Sequence, residues 1–346
     1  MIRASVTTAG HMLARVYRAA YGKTLDFDSG ALTKSDVTIL RFLAAIELIE
    51  SDLWQQYDEL GGVTEGPQNP YQIALQFLDR DGSRCITENA VDEISHSTYL
   101  NAFLESEGAD PVNFDRFRSL PGSLSKIAQD TGRLTNLMHL SLDTSWLYPA
   151  HQMEDSKAEP PRGIRIINRQ AIPQTDADFG NATRIQEIAN TAALHFGYVE
   201  HLVSNLYATF SNKVQRAKVL KVALGIGGNE IAHLLGWMDS GHRLLWAPFQ
   251  SDGALAPMRK SRSPSADTAT VPARSPSTSL NFPIPPSPTN EFLAGRAALL
   301  PVEARYGGAV DTINLFSENG IFVGQSPEFL WTLLQMAEDA DSALDT

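Results

Sequence analysis

Two four-residue strings decide how this chain reads: Glu93-Ile94-Ser95-His96 and Glu230-Ile231-Ala232-His233. Each follows an apolar, helix-like run that carries its own glutamate. The first run is Ala45-Ile46-Glu47-Leu48-Ile49-Glu50-Ser51-Asp52-Leu53-Trp54, and the second is Tyr198-Val199-Glu200-His201-Leu202-Val203-Ser204-Asn205-Leu206-Tyr207. Positions i and i+3 of a helix share a face, roughly 4.5 Å apart along its axis. Glu93 and His96 can therefore reach one ion or two adjacent ions, and so can Glu230 and His233. Four carboxylates and two imidazoles on four helices match the ligand set of a two-metal site inside a four-helix bundle.

The two halves align. With Glu47 set against Glu200, Asp52 meets Asn205, Leu53 meets Leu206 and Trp54 meets Tyr207. With Glu93 set against Glu230, the isoleucines and histidines coincide. One helix pair is used twice, which predicts a pseudo-twofold bundle. The repeat selects Glu47 over Glu50, because Val203 stands where a second Glu50 would be. A lone E-x-x-H is a weak signal. Here it occurs twice in apolar context, and charged groups in an apolar stripe are costly unless paired or coordinated. A salt-bridged bundle interior is the alternative.

Glu50, Trp54 and Tyr207 are candidates to sit behind the ligands, as a base, a packing ring or an electron relay. Asp92 and Asp239 are candidates to orient the imidazoles. His195 and His201 read as core or surface histidines. The mixed oxygen and nitrogen donors suit two ions, iron first and manganese second, with zinc a further option. Such ions bind dioxygen or peroxide and exchange electrons with it.

Composition narrows the field. The 346 residues carry a net charge of −12, 43% hydrophobic and 20% charged residues. The acidic balance argues against nucleic acid as a partner. The single cysteine, Cys85, excludes intrachain disulfides, zinc fingers and iron–sulfur clusters. No apolar run reaches the roughly eighteen residues a membrane span needs. Met1–Thr8 lacks the apolar core of a signal peptide, so the chain as given is expected in the cytoplasm, a trimmed export signal being the other option.

The expected domain organisation follows. Residues 1–34 form an N-terminal arm with a short helix near His11–Tyr21. Residues 35–250 form the bundle. Its first long helix is capped at Ser35-Asp36, runs to Leu60 and stops at Gly61-Gly62. Asn69-Pro70 opens a short helix to Leu78. Asp79–Cys85 is a turn, and Thr87 caps the second long helix, to Ser106. A crossover, 107–182, joins helices that must run parallel. It is expected to contain helix near Ser123–Leu142 and an extended stretch at Gly163–Ala171. Asn181-Ala182-Thr183 caps the third long helix, and Asn212 begins the fourth. Gly225, Gly227 and Gly228 predict a bend, a π-bulge or space kept free in that helix, or else a break. Residues 251–290 read as a Ser/Pro-rich linker. Residues 291–346 read as a hairpin across Glu318-Asn319-Gly320 and a helix, Pro327–Glu338.

These residues resemble the ferritin-like domain family that includes bacterial and plant desiccation-related proteins. The resemblance lies in Asp36-Val37-Thr38-Ile39-Leu40-Arg41-Phe42 followed by Glu47 and Glu50, and in the E-x-x-H string after them. Trp54 stands where the family carries tyrosine. Glu318-Asn319-Gly320-Ile321-Phe322 and Ser326-Pro327 are also similar. The likeness covers 36–106, 183–245 and 310–335, and leaves out 107–182 and 251–290.

It implies a mainly α, ferritin-like four-helix bundle with a long crossover and a small C-terminal extension. It also implies Glu47, Glu93, His96, Glu200, Glu230 and His233 as metal ligands. The wider superfamily includes ferroxidases, manganese catalases, oxygenases and desaturases, and fold analogy does not choose among them. The expected function is a dimetal oxidoreductase acting on dioxygen or peroxide, with a small organic substrate and a homodimer as further options and the electron donor unspecified. The alternative is a non-catalytic, metal-binding stress protein. A cage-type storage shell sits badly with the linker, the tail and the repeat within one chain.

Overall fold

The computed structural model describes residues 30–143, 165–245 and 308–343, and in 238–245 the backbone alone. Seven α-helices, two short 3-10 helices and one two-stranded antiparallel sheet make up the regular structure of the described residues. In chain order the α-helices and strands are α1 (Lys34–Gly61), α2 (Pro70–Leu78), α3 (Gly82–Ser106), β1 (Leu140–Asp143), β2 (Arg165–Arg169), α4 (Ala182–Ser211), α5 (Ala217–Leu245), α6 (Ala309–Asn319) and α7 (Pro327–Ser342). The expected helix near His11–Tyr21 and the 251–290 linker lie outside the described residues.

The four long helices run in a fixed pattern of directions. Arg41 meets Asp110, Ser51 meets Glu93 and Ser97, and Asp58 meets Thr87, so α1 and α3 are antiparallel. Tyr207 meets Glu47, and Tyr57 meets His195, so α1 and α4 are also antiparallel. The second and third long helices, α3 and α4, therefore run parallel, and only a crossover can join them. Phe196 packs on Trp237, and a Cβ at Gly227 would meet Tyr207, which makes α4 and α5 antiparallel.

Local chemistry sets the helix ends, with several departures from expectation. α1 is capped by Thr33 rather than by Ser35 or Asp36. Asp36 occupies the third helical position and completes a capping box with Thr33. Asn69 and Gln72 do the same for α2, with Pro70 at the first position. α3 starts at Gly82 and not at Thr87. Thr87 is drawn into tertiary contact instead, donating to Asp58 and accepting from the amide of Val63. Asn181 caps α4 by accepting from the amide of Arg184. Asn212 ends α4 rather than beginning α5, and the connection is pinned where the Gln215 amide donates to Asp36 at 2.8 Å.

α5 is unbroken through Gly225, Gly227 and Gly228. Gly227 alone is crowded: a Cβ there would lie 2.8 Å from Tyr207 Cβ, so this glycine lets α4 and α5 approach. Nothing lies within 4 Å of the corresponding points at Gly225 and Gly228.

The crossover holds no α-helix in Ser123–Leu142. Its backbone groups find partners elsewhere. Leu120 and Arg133 form an isolated antiparallel bridge. Asp52 of α1, almost fully buried, accepts from the amides of Leu134 and Thr135 and the Thr135 hydroxyl, and pairs with Arg118 at 2.6 Å. The extended stretch at Gly163–Ala171 contains β2, paired with β1.

The hairpin expected at Glu318-Asn319-Gly320 is instead a helix stop. α6 runs to Asn319, and Gly320 closes it in the left-handed region at φ 96°. The same Gly/Asn chemistry serves a turn or a C-cap, and the apolar period before it is helical. α7 follows, capped by Ser326 with Pro327 at its first position.

Candidate metal centre

Six side chains from the four long helices converge at one depth of the core. Glu47 comes from α1, Glu93 and His96 from α3, Glu200 from α4, and Glu230 and His233 from α5. All four carboxylates are fully buried, and each histidine keeps less than a tenth of its surface exposed. They fall into two overlapping groups able to hold a metal ion: Glu47, Glu93, His96 and Glu230; and Glu93, Glu200, Glu230 and His233. Within each group the donor atoms lie within 4.8 Å of one another. The repeat operation that exchanges Glu47 with Glu200, Glu93 with Glu230 and His96 with His233 turns one group into the other.

Both imidazoles turn Nδ1 inward. His96 Nδ1 lies 3.1 Å from Glu93, 3.2 Å from Glu230 and 3.4 Å from Glu47. His233 Nδ1 lies 3.1 Å from Glu93 and 3.5 Å from Glu200. The outer edges are held by a polar pair. Asp92 Oδ2 lies 3.1 Å from His233 Nε2, and Asn229 donates to Asp92 at 3.0 Å. Asn229 is the repeat mate of Asp92, so the alignment that found the glutamates could also have found it. Asp239 belongs to the part of α5 whose side chains are not described.

The carboxylates divide by how their oxygens are used. Tyr207 donates to Glu47 Oε1, and Asn89 Nδ2 donates to Glu200 Oε1 at 2.8 Å. That leaves Glu47 Oε2 and Glu200 Oε2 without a hydrogen bond. Glu230 Oε2 has no hydrogen bond, and Glu230 Oε1 and Glu93 Oε1 face the imidazole nitrogens alone, His96 Nδ1 at 3.2 Å and His233 Nδ1 at 3.1 Å. Glu93 Oε2 meets only His96 Nδ1. Buried acceptors left facing one another are costly unless a cation or protons sit among them. Glu47 and Glu200 therefore offer one oxygen each, while Glu93 and Glu230, common to both groups, offer two. This donor set fits a metal ion in each of the two groups, with Glu93 and Glu230 able to serve both.

Asn89 was missed by sequence reasoning. It sits one turn before Glu93 on the inner face of α3, where a buried amide is itself a signal of a polar partner. Trp54 makes no hydrogen bond through its Nε1. It packs one layer away, stacked on Phe196 and Trp237. His195 and His201 are buried and belong to neither group.

Glu50 is the unexpected neighbour. It is fully buried, has no hydrogen bond to either oxygen, and belongs to neither group. Burial, then the charges of Glu230, Glu93, Glu47 and Glu200, push its carboxyl well above the usual range. Burial also raises Glu47 to about 8, with Glu93 adding to the effect and His96 opposing it. Burial and then Glu93 raise Glu230 well above its usual range, and burial raises Glu200. Burial would lower both imidazoles, yet the surrounding carboxylates overcome it, holding His96 far above its ordinary value and pushing His233 up to about 12. Against its own burial, Glu93 is brought down to about 2 by the two histidines. As protein groups alone, the cluster neutralises itself by sharing protons, and an entering cation must displace them.

Comparison with protein-family models, curated proteins and solved structures yields no match to this chain. No helix among the described residues is long and apolar enough to cross a membrane.

Proposed function

We propose that this chain is a dimetal-carboxylate oxidoreductase of ferritin-like architecture, related in kind to the desiccation-related proteins and acting on dioxygen or peroxide. The observation that carries the reading is the sharing of Glu93 and Glu230 between two otherwise separate donor groups. Two redox-active ions held there, iron or manganese by the donor chemistry, would polarise a bound oxygen species and exchange electrons with it.

The protein's own groups have distinct tasks in this reading. Glu93 and Glu230, common to both donor groups, would hold both ions. Tyr207 occupies one oxygen of Glu47 and Asn89 one oxygen of Glu200, which would leave the other oxygen of each for an ion. Asp92 and Asn229 hold the outer edges of the imidazoles, which fixes Nδ1 inward. Glu50, its carboxyl pushed well above the usual range by burial and then by the neighbouring glutamates, is the group beside the centre suited to carry a proton.

The carboxylate oxygens are sealed from solvent, and only the histidine edges reach it. That favours a reactant of two or four atoms over an organic substrate at the ions themselves. The same seal favours a second reading, retention of metal without turnover.

Anaerobic metal analysis followed by exposure to dioxygen or peroxide under reductant tests both. Two ions per chain with oxygen or peroxide consumption is the expected result. Full occupancy with no consumption would leave sequestration. Absence of bound metal, or full retention after Glu93→Ala with His96→Ala, would overturn both readings.

A further inference from the structure

An aromatic layer lies directly beneath the six donor residues. Glu47, Glu50, Trp54 and Tyr57 occupy one stripe of α1, at spacings of three, four and three residues. Trp237 is one turn beyond His233, and Phe196 is one turn before Glu200. Trp54 stacks on Phe196 at 5.0 Å and on Trp237 at 5.7 Å between ring centroids. Tyr57 follows, 5.7 Å from Trp54 and edge-on to Phe196 at 4.6 Å.

At the far side of this layer is a buried polar pair that the centre does not use. The Tyr57 hydroxyl meets His195 Nδ1 at 2.7 Å, both residues are fully buried, and His195 Nε2 has no hydrogen bond. Burial holds His195 down at about 3, so its imidazole is neutral and Nδ1 can accept. Burial also holds the Tyr57 phenol well above its ordinary value, so it keeps its proton until the ring is oxidised. A phenol in this setting loses an electron most easily when its proton has a base already in place.

We propose that Tyr57 is an internal one-electron donor to the carboxylate centre, with Trp54 as the relay and His195 as the proton acceptor. The Tyr57 O–H bond breaks and an N–H bond forms at His195 Nδ1. One electron leaves through the Trp54 ring, and an oxidised metal ion held by the six donor residues would be its acceptor. Tyr57 is left as a neutral phenoxyl radical beside an imidazolium. The acceptor in this scheme rests on the dimetal reading, whereas the oxidisable pair does not.

Two measurements on the full chain separate these parts. In the first, the metal-free protein is oxidised by a flash-excited ruthenium complex with persulfate and examined by electron paramagnetic resonance. A buried tyrosyl signal that is lost in Tyr57→Phe, and shortened in lifetime in His195→Gln, is expected. Identical signals in wild type and Tyr57→Phe would overturn the proposal.

In the second, the iron-loaded protein is mixed with peroxide and freeze-quenched. The same signal should appear, vanish in Tyr57→Phe and arrive more slowly in Trp54→Phe. Oxidised iron with no tyrosyl signal would overturn the relay and leave the dimetal reading standing. A chain that binds no iron fails the dimetal reading, and overturns the assignment of Tyr57 as donor to the centre even where the first measurement succeeds. Thermal melts of each variant establish that the fold is retained.

Discussion

His96 reaches from α3 to Glu230 of α5, Nδ1 to Oε1 at 3.2 Å, and its repeat mate His233 reaches back to Glu93 of α3 at 3.1 Å. This exchange across the bundle makes Glu93 and Glu230 members of both donor groups, while Glu47 and Glu200 belong to one each. Glu47→Ala or Glu200→Ala should therefore remove one ion per chain, and Glu93→Ala or Glu230→Ala should remove both. Inductively coupled plasma analysis of protein loaded and desalted in parallel reads the stoichiometry. Loss of one ion from every variant would contradict the shared-ligand geometry.

The two halves differ in what holds the outer carboxylates. Tyr207 bonds Glu47, whereas Asn89 bonds Glu200. Loss of such a supporting bond typically weakens metal affinity by about 10- to 100-fold. Tyr207→Phe should weaken the ion on the Glu47 side, and Asn89→Ala the ion on the Glu200 side, each leaving the other close to wild type. Calorimetric titration with Mn²⁺ should resolve this as one weakened step of two.

Gly227 and its neighbours give a stability test that needs no metal. Gly227→Ala would place Cβ 2.8 Å from Tyr207 Cβ, with backbone on both sides unable to yield cheaply. Such overpacking should cost about 1–3 kcal/mol. Gly225→Ala and Gly228→Ala meet nothing within 4 Å and should gain up to about 1 kcal/mol each from helix propensity. Urea unfolding of the three variants should show opposite signs.

The six converging donor residues were legible because they are written in local spacing and repeated. E-x-x-H fixes a helix face without help from tertiary structure, and the second copy picks out Glu47 and Glu200. The helices that carry it were equally legible from their periodicity. What escaped was set by partners distant in sequence. Thr87 has the chemistry of a cap, but Asp58 of α1 claims its hydroxyl. Ser123–Leu142 has apolar spacing that allows a helix, but Asp52 captures the amides of Leu134 and Thr135 from another element. Asn319-Gly320 stops a helix or turns a hairpin with the same residues, and the packing of α6 against α7 decides. Asn89 carries no motif at all, and only the bundle's closure brings it to Glu200.

His195 makes the metal-free protein sensitive to acid, with a sign that can be worked out. Its ordinary value is 6.5, and burial lowers it to about 3 in the folded chain. Between those values the unfolded chain binds a proton that the folded chain refuses, so stability rises with pH there. The contribution is complete above about 6.5 and is lost progressively as pH falls towards 3. Each pH unit inside that window costs about 1.4 kcal/mol. His195→Gln keeps a hydrogen-bonding partner for Tyr57 and has no proton to refuse. Urea unfolding at pH 7 and pH 5 should therefore show wild type losing about 2 kcal/mol more than the variant over that interval. His96 and His233 are shifted the opposite way, but they are common to both chains and cancel in the difference. Equal losses in the two chains would mean that His195 is protonated in the fold, and that Tyr57 lacks the neutral acceptor its 2.7 Å contact supplies.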